Sequence, residues 1–140
     1  MLASLAFASV AVAAEPIGHV KTVKGEVQVT RGSASQVLAP GQDVFEQDDV
    51  STGADAAVGI TFKDDTTFSM GPKGRMTLDK LVFDPAGDQM GMGVKMMKGT
   101  FAVVGGQIPR LAPDRLVITT PVATIGIRGT SFLVEVADDQ

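Results

Sequence analysis

The sequence predicts an all-β domain with little helix: two packed, largely antiparallel sheets, or one rolled sheet, of many short strands. Three observations lead there. Sixteen glycines and seven prolines punctuate the 140 residues. Between them, apolar and polar residues alternate with a period of two, which sets one face of a segment inside and the other in water. No window carries the apolar spacing of three and four residues that an amphipathic helix needs. Short alternating segments separated by turn residues pack as sheets.

The first fourteen residues, MLASLAFASVAVAA, stand apart. They are apolar, too short to span a bilayer as a helix, and end in small residues, the pattern of an export signal cut after Ala13 or Ala14. The usual Lys or Arg near Met1 is missing. Residues 15–140 then suit a single domain. Val27 and Val29 alternate with Gln28 and Thr30 as a half-buried strand does. The acidic segment Asp43 to Asp49 is the one place for a helical turn, and a loop fits it equally. Val58, Ile60 and Phe62 share a face, Asp64-Asp65 makes a turn, and Phe68 and Met70 resume the pattern. Gly71-Pro72-Lys73-Gly74 turns the chain again before Met76 and Leu78. The register then slips by one near Lys80, which predicts a bulge. After a turn at Pro85-Ala86-Gly87-Asp88 come strands over Lys95 to Val104 and Leu116 to Thr119, with a loop from Gly105 to Pro113 between them. Phe132, Val134 and Val136 close the series. A basic residue followed by glycine recurs at Lys24-Gly25, Lys73-Gly74, Lys98-Gly99 and Arg128-Gly129. The spacings are unequal, so these read as turns where glycine supplies a positive φ, not as a repeat.

Composition narrows the function. The formal charge is −4, with acids and bases mixed along the chain. That disfavours nucleic acid, which needs a clustered basic surface, and a polybasic membrane anchor. Without cysteine there is no disulfide framework, thiol nucleophile or thiolate metal site. Without Trp or Tyr there is no indole or phenol platform for sugars or bases. Neither a Gly-x-Ser-x-Gly elbow nor Ser-x-x-Lys occurs, so the reading is non-enzymatic, with no catalytic residue, cofactor or metal. Met90, Met92 and Met96 would share a strand face, and thioethers suit copper(I). The same positions fill a core equally well, and that reading is preferred. His19 is the sole histidine and reads as an exposed strand residue. The paired acids Asp48-Asp49, Asp64-Asp65 and Asp138-Asp139 read as solvated turns, because neighbours in a strand face opposite ways.

One stretch is unusual. In TPVATIGIRGTSF, Thr120 to Phe132, Arg128 is the only charge between Leu116 and Val134. Thr120 before Pro121 is extended, and Pro121 marks a strand end. Gly126 and Gly129 permit a bend on either side of Arg128, and Thr130 follows. A guanidinium carries five donors in a rigid fork, enough to satisfy carbonyls that such a bend strips of partners. Arg128 is therefore read as a structural clasp, with a grip on a partner's carboxylate as the alternative. A separate contact surface is read in GGQIPRLAP, where Arg110 stands beside Ile108 and Leu111.

TPVATIGIRGTSF resembles the C-terminal motif of the FecR domain family. GHVKTVKGEVQVTR is similar to that family's opening hairpin, and PGQDVFEQDDVSTG, AAVGITFKDDTTFSMGP and VKMMKGTFAVV follow in the family's order. The resemblance covers about Ile17 to Val136. It implies a β-rich, extracytoplasmic, non-enzymatic domain, and its best-known members relay signals from an outer-membrane iron transporter to a sigma factor. The cytoplasmic segment and membrane helix of those members have no counterpart here. The expected function is thus a protein-binding or scaffold module of the bacterial periplasm, with envelope proteins as partners. The alternatives are a module for a cell-wall glycan or a metal ion, or the periplasmic part of a sigma-factor route.

Overall fold

The structure is a computed structural model that describes residues 15–84, 86–87, 89–112, 115–121, 124–126 and 131–136. These form β1 (Gly18–Lys24), β2 (Val27–Arg31), β3 (Ala34–Val37), β4 (Asp43–Val44), β5 (Asp49–Thr52), β6 (Ala57–Phe62), β7 (Thr67–Met70), β8 (Arg75–Asp84) and β9 (Gln89–Val104). The short helix α1 (Gln107–Leu111) follows, then β10 (Leu116–Thr119), β11 (Thr124–Gly126) and β12 (Ser131–Val136). The domain is all-β, one curled sheet in the order β3-β2-β5-β8-β9-β7-β6-β1-β4, with β10, β11 and β12 joined through β9. All described pairings are antiparallel except β9 with β10.

The curl has a local cause. β1 pairs with β6, and β2 pairs with β5, in each case antiparallel. Thus β1–β2 and β5–β6 are two long runs side by side, each broken at the same level, after Lys24 and after Thr52. β7 and β8 likewise run one after the other along β9, with their break at residues 71–74 opposite Gly99. The four breaks line up as a crease across the sheet. Hydrogen bonds stitch it: the Gly53 N–H donates to the Glu26 carbonyl (3.0 Å), Lys73 N–H to Gly53 (3.0 Å), Thr52 N–H to Gly74 (3.0 Å) and Gly71 N–H to Thr100 (2.9 Å). Thr52 Oγ1 donates to the Gly71 carbonyl at 2.7 Å and accepts the Gly74 N–H at 2.8 Å. Gly99 has φ +110°, and a Cβ there would stand 2.7 Å from the Gly74 Cα. Only glycine takes that conformation and that approach cheaply.

The crease explains the basic–glycine pairs. Lys24-Gly25, Lys73-Gly74 and Lys98-Gly99 all sit on it, and Lys98-Gly99 lies inside one continuous strand rather than at a hairpin turn. Arg128-Gly129 falls outside the described residues. The crease also corrects the expected opening hairpin, because β1 and β2 do not pair with each other. They lie on opposite sides of the fold line.

Folding the sheet over brings two inner faces together. Val29, Met76, Leu78 and Met96 from one half and Ile60, Phe68, Phe101 and Val103 from the other are almost wholly buried in one cluster. Phe62 and Phe68 meet edge to face at 5.2 Å between ring centres, an arrangement their quadrupoles favour. Met92 and Met96 belong to this interior, while Met90 is half-buried at its rim. The strand they share therefore uses them as packing.

Two local readings are decided. Asp43 to Asp49 holds β4 and a turn, the non-helical of the two alternatives, since Gln47 takes φ +71° and Asp48 accepts the Phe45 N–H on its carboxylate. Gly105 to Pro113 contains α1 where a loop was expected; its first donors are satisfied from another part of the chain, as described below. The bulge near Lys80 is present, with the β8–β9 register slipping between Leu78 and Lys80. The side-chain amide of Gln47 fills it, donating to the Asp79 carbonyl at 2.8 Å.

Candidate functional site

Two polar clusters organise the described residues, and both use acids that were expected to be solvated. Asp48 is fully buried. Arg31 donates to it through Nε and Nη2, each at 2.8 Å, and the Phe45 N–H adds a third bond at 2.9 Å. The guanidinium carbon lies 4.5 Å from the centre of the Phe45 ring, so one cation answers a carboxylate and an aromatic face together. Hydrogen bonding to Asp48 pushes the Arg31 pKa above its ordinary value; burial opposes this and the carboxylate's charge adds to it. Next door, Asp49 faces the other way and takes Arg75 at 2.6 Å in a more exposed pair. Asp48→Ala should destabilise the fold by about 2–3 kcal/mol, because it strips the Arg31 guanidinium and the N–H of half-buried Phe45 of their acceptor. Arg31→Ala should cost at least as much, because it leaves the fully buried Asp48 carboxylate without its cation. Urea unfolding of both variants checks this, and a loss under about 1 kcal/mol for Arg31→Ala, the range of a surface pair, would contradict the assignment.

The second cluster latches a hairpin to the helix. Asp64, at the tip between β6 and β7, is fully buried together with Thr66. Asp64 Oδ1 accepts the Thr66 N–H at 3.0 Å, and Oδ2 accepts Thr66 Oγ1–H at 2.6 Å and the Ile108 N–H at 3.1 Å. The Gln107 N–H donates to the Asp64 carbonyl at 2.7 Å, and the Gly106 N–H to Thr66 Oγ1 at 3.0 Å. The hairpin tip thus supplies the acceptors that the start of α1 lacks locally. A Cβ on Gly106 would lie 2.1 Å from the Asp64 carbonyl oxygen, so the approach requires glycine. Every buried side-chain nitrogen or oxygen among the described residues has a hydrogen-bond partner.

The residues singled out by sequence are scattered by the fold. Ile108 is fully buried, which removes it from the expected contact surface; its backbone and side chain anchor α1 instead. Arg110 is exposed beside it, and Leu111 is 61% exposed, so these two present the most exposed part of α1, with Gln107 half-buried. Thr120 is half-buried after β10, Pro121 is exposed, and Gly126 ends β11 opposite Val117. Arg128, Gly129 and Thr130 lie outside the described residues, as do Asp138 and Asp139. His19 is exposed on β1 and faces Asp43 of β4, a neighbour the linear sequence does not show. No trio of metal-binding side chains gathers among the described residues.

A sheet creased over one core, with every described buried polar side chain hydrogen-bonded, defines an all-β domain. Comparison with protein families places it further. Residues 48–140 match the family model described as FecR protein, well over half of the chain. The chain belongs to the FecR family. The match begins at Asp48, the buried acid of the first cluster, so the resemblance over the opening strands lies outside it. Searches of curated proteins and of solved structures found no match.

Proposed function

We propose that this chain is a non-enzymatic, exported module that binds or scaffolds other proteins in the bacterial periplasm. The observation that carries this reading is the FecR family match over residues 48–140. Two features support it. The buried polar side chains are already committed, which leaves exposed elements for contact. Among those, Arg110 and Leu111 project from a helix held rigidly by the Asp64 latch, a cation beside an apolar side chain of the kind that interfaces favour. No helix among the described residues is long and apolar enough to cross a membrane.

A photo-crosslinking residue at position 111, activated in living cells, tests the proposal. The expected result is a covalent adduct to an envelope protein, on a mature chain whose first residue is Ala14 or Glu15. An adduct to a transporter domain or an anti-sigma protein would specify the sigma-factor route. Adducts only to wall fragments, or an unprocessed chain confined to the cytosol, would overturn the proposal.

A further inference from the structure

We propose that the outer edge of β12 is a self-association surface, on which a second copy of the chain adds its own β12 antiparallel, Leu133 opposite Leu133. β12 pairs along one side with β9, from Ser131 opposite Val104 to Val136 opposite Gly99. No described residue pairs with its other side. Sheet edges in soluble proteins are normally blunted by shortness, proline or lysine. The other edges here follow that rule: β4 has two residues, β11 has three, and β3 has four and is soon followed by Pro40. β12 has six residues, SFLVEV, with no lysine, arginine or proline.

The side chains point the same way. Leu133 is 78% exposed, more than any other large hydrophobic residue described. It stands opposite Ala102, diagonal to Val104, which is 54% exposed, so the two form an apolar patch at this edge. Val134 and Val136, on the opposite face, pack against the core.

The strand itself selects the occupant. An antiparallel pair about a two-fold axis keeps inner faces aligned only when residues of like parity oppose each other. Centred on Leu133, the pair sets leucine against leucine and Ser131 against Glu135, which covers the patch and opposes no like charges. Centred on Val134, it sets Glu135 against Leu133. Centred on Glu135, it sets two carboxylates face to face. Centred on Phe132, it sets Ser131 against Leu133, so of these four registers the one about Leu133 alone packs leucine on leucine. This inference stands apart from the proposed periplasmic role, and neither needs the other.

The native chain has no cysteine, so single substitutions report the register without background. Cβ atoms directly opposed across antiparallel strands lie about 4.5–5.5 Å apart, near disulfide reach. In the purified full chain, Leu133→Cys should form a disulfide dimer on mild oxidation. Ser131→Cys and Glu135→Cys should each stay monomeric alone and join when mixed. Sedimentation equilibrium of the unmodified chain should show a monomer–dimer equilibrium, and Leu133→Lys should weaken it at least tenfold, with the melting temperature unchanged when both chains are compared at a dilution where they are monomeric. A chain that stays monomeric at every concentration, or cross-linking at Glu135 alone, or equal cross-linking through Val37→Cys on the opposite edge, would overturn the proposal.

Discussion

Gly99→Ala should lower the melting temperature by about 10 °C or more, a loss of roughly 3–5 kcal/mol. Two terms add. The backbone at position 99 has φ +110°, which an L-residue adopts only at a cost. The new methyl would also meet the Gly74 Cα at 2.7 Å, and that atom is backbone, held by the Thr52 hydroxyl through the Gly74 N–H. Neither partner can step aside without opening the crease. Gly91→Ala in the same strand is the control. Nothing lies within 4 Å of an added Cβ there, and its φ is not positive, so the substitution should be neutral within about 0.5 kcal/mol. A calorimetric scan of both variants reads the difference. If Gly99→Ala melts with Gly91→Ala, the crease does not depend on close backbone approach.

The Asp64 latch carries the second large effect. Asp64→Ala removes the acceptor of the Thr66 N–H, the Thr66 hydroxyl and the Ile108 N–H, all buried. Unsatisfied buried donors cost about 1–3 kcal/mol each, and partial relaxation keeps the sum near 3–5 kcal/mol. Asp64→Asn keeps one acceptor oxygen and should recover part of the loss. Gly106→Ala should cost at least as much as Asp64→Ala, since its methyl would collide with backbone on both sides of the tip. Urea unfolding measures all three. A loss under about 1 kcal/mol for Asp64→Ala would mean that water satisfies these donors and the latch is not closed. In the intact protein the latch also fixes α1, so the same variant should reduce cross-linking from position 111 in proportion to the fraction unfolded.

The strand pattern was legible because burial has a period of two wherever a sheet covers one core. Val27 and Val29, Ile60 and Phe62, Met76 and Leu78 all sit where alternation put them. Leu116 to Thr119 was bounded to the residue, and the slip near Lys80 was visible as a phase change in the same alternation. The crease was half visible. Its glycines were found, but local sequence does not say whether a chain that bends at Gly25 doubles back or crosses to another half-sheet. That choice belongs to long-range pairing, β1 with β6 and β2 with β5.

The buried acids were missed for the same reason. Asp48 finds Arg31 across a fold, and nothing local marks the pair. Asp64 did carry a signal, since an Asp two residues before a Thr favours a turn closed by its own side chain. What hid its burial was the partner, the glycine-led start of α1 far along the chain. The helix was hidden likewise, because five residues with Pro109 at the centre carry no periodicity to read. The clasp expected of Arg128 lies beyond the described residues; the guanidinium described at Arg31 is held by a carboxylate, not by backbone carbonyls.

The central claim is that the two halves of the sheet are one body, folded along a bonded crease. Native-state hydrogen exchange tests it most directly. The amides of Thr52, Gly71 and Lys73 on the crease should exchange as slowly as those of Ile60 and Val94 on either side of it, all through the same global unfolding. Crease amides that exchange orders of magnitude faster than both would show two half-sheets opening about a loose hinge, and would contradict the account.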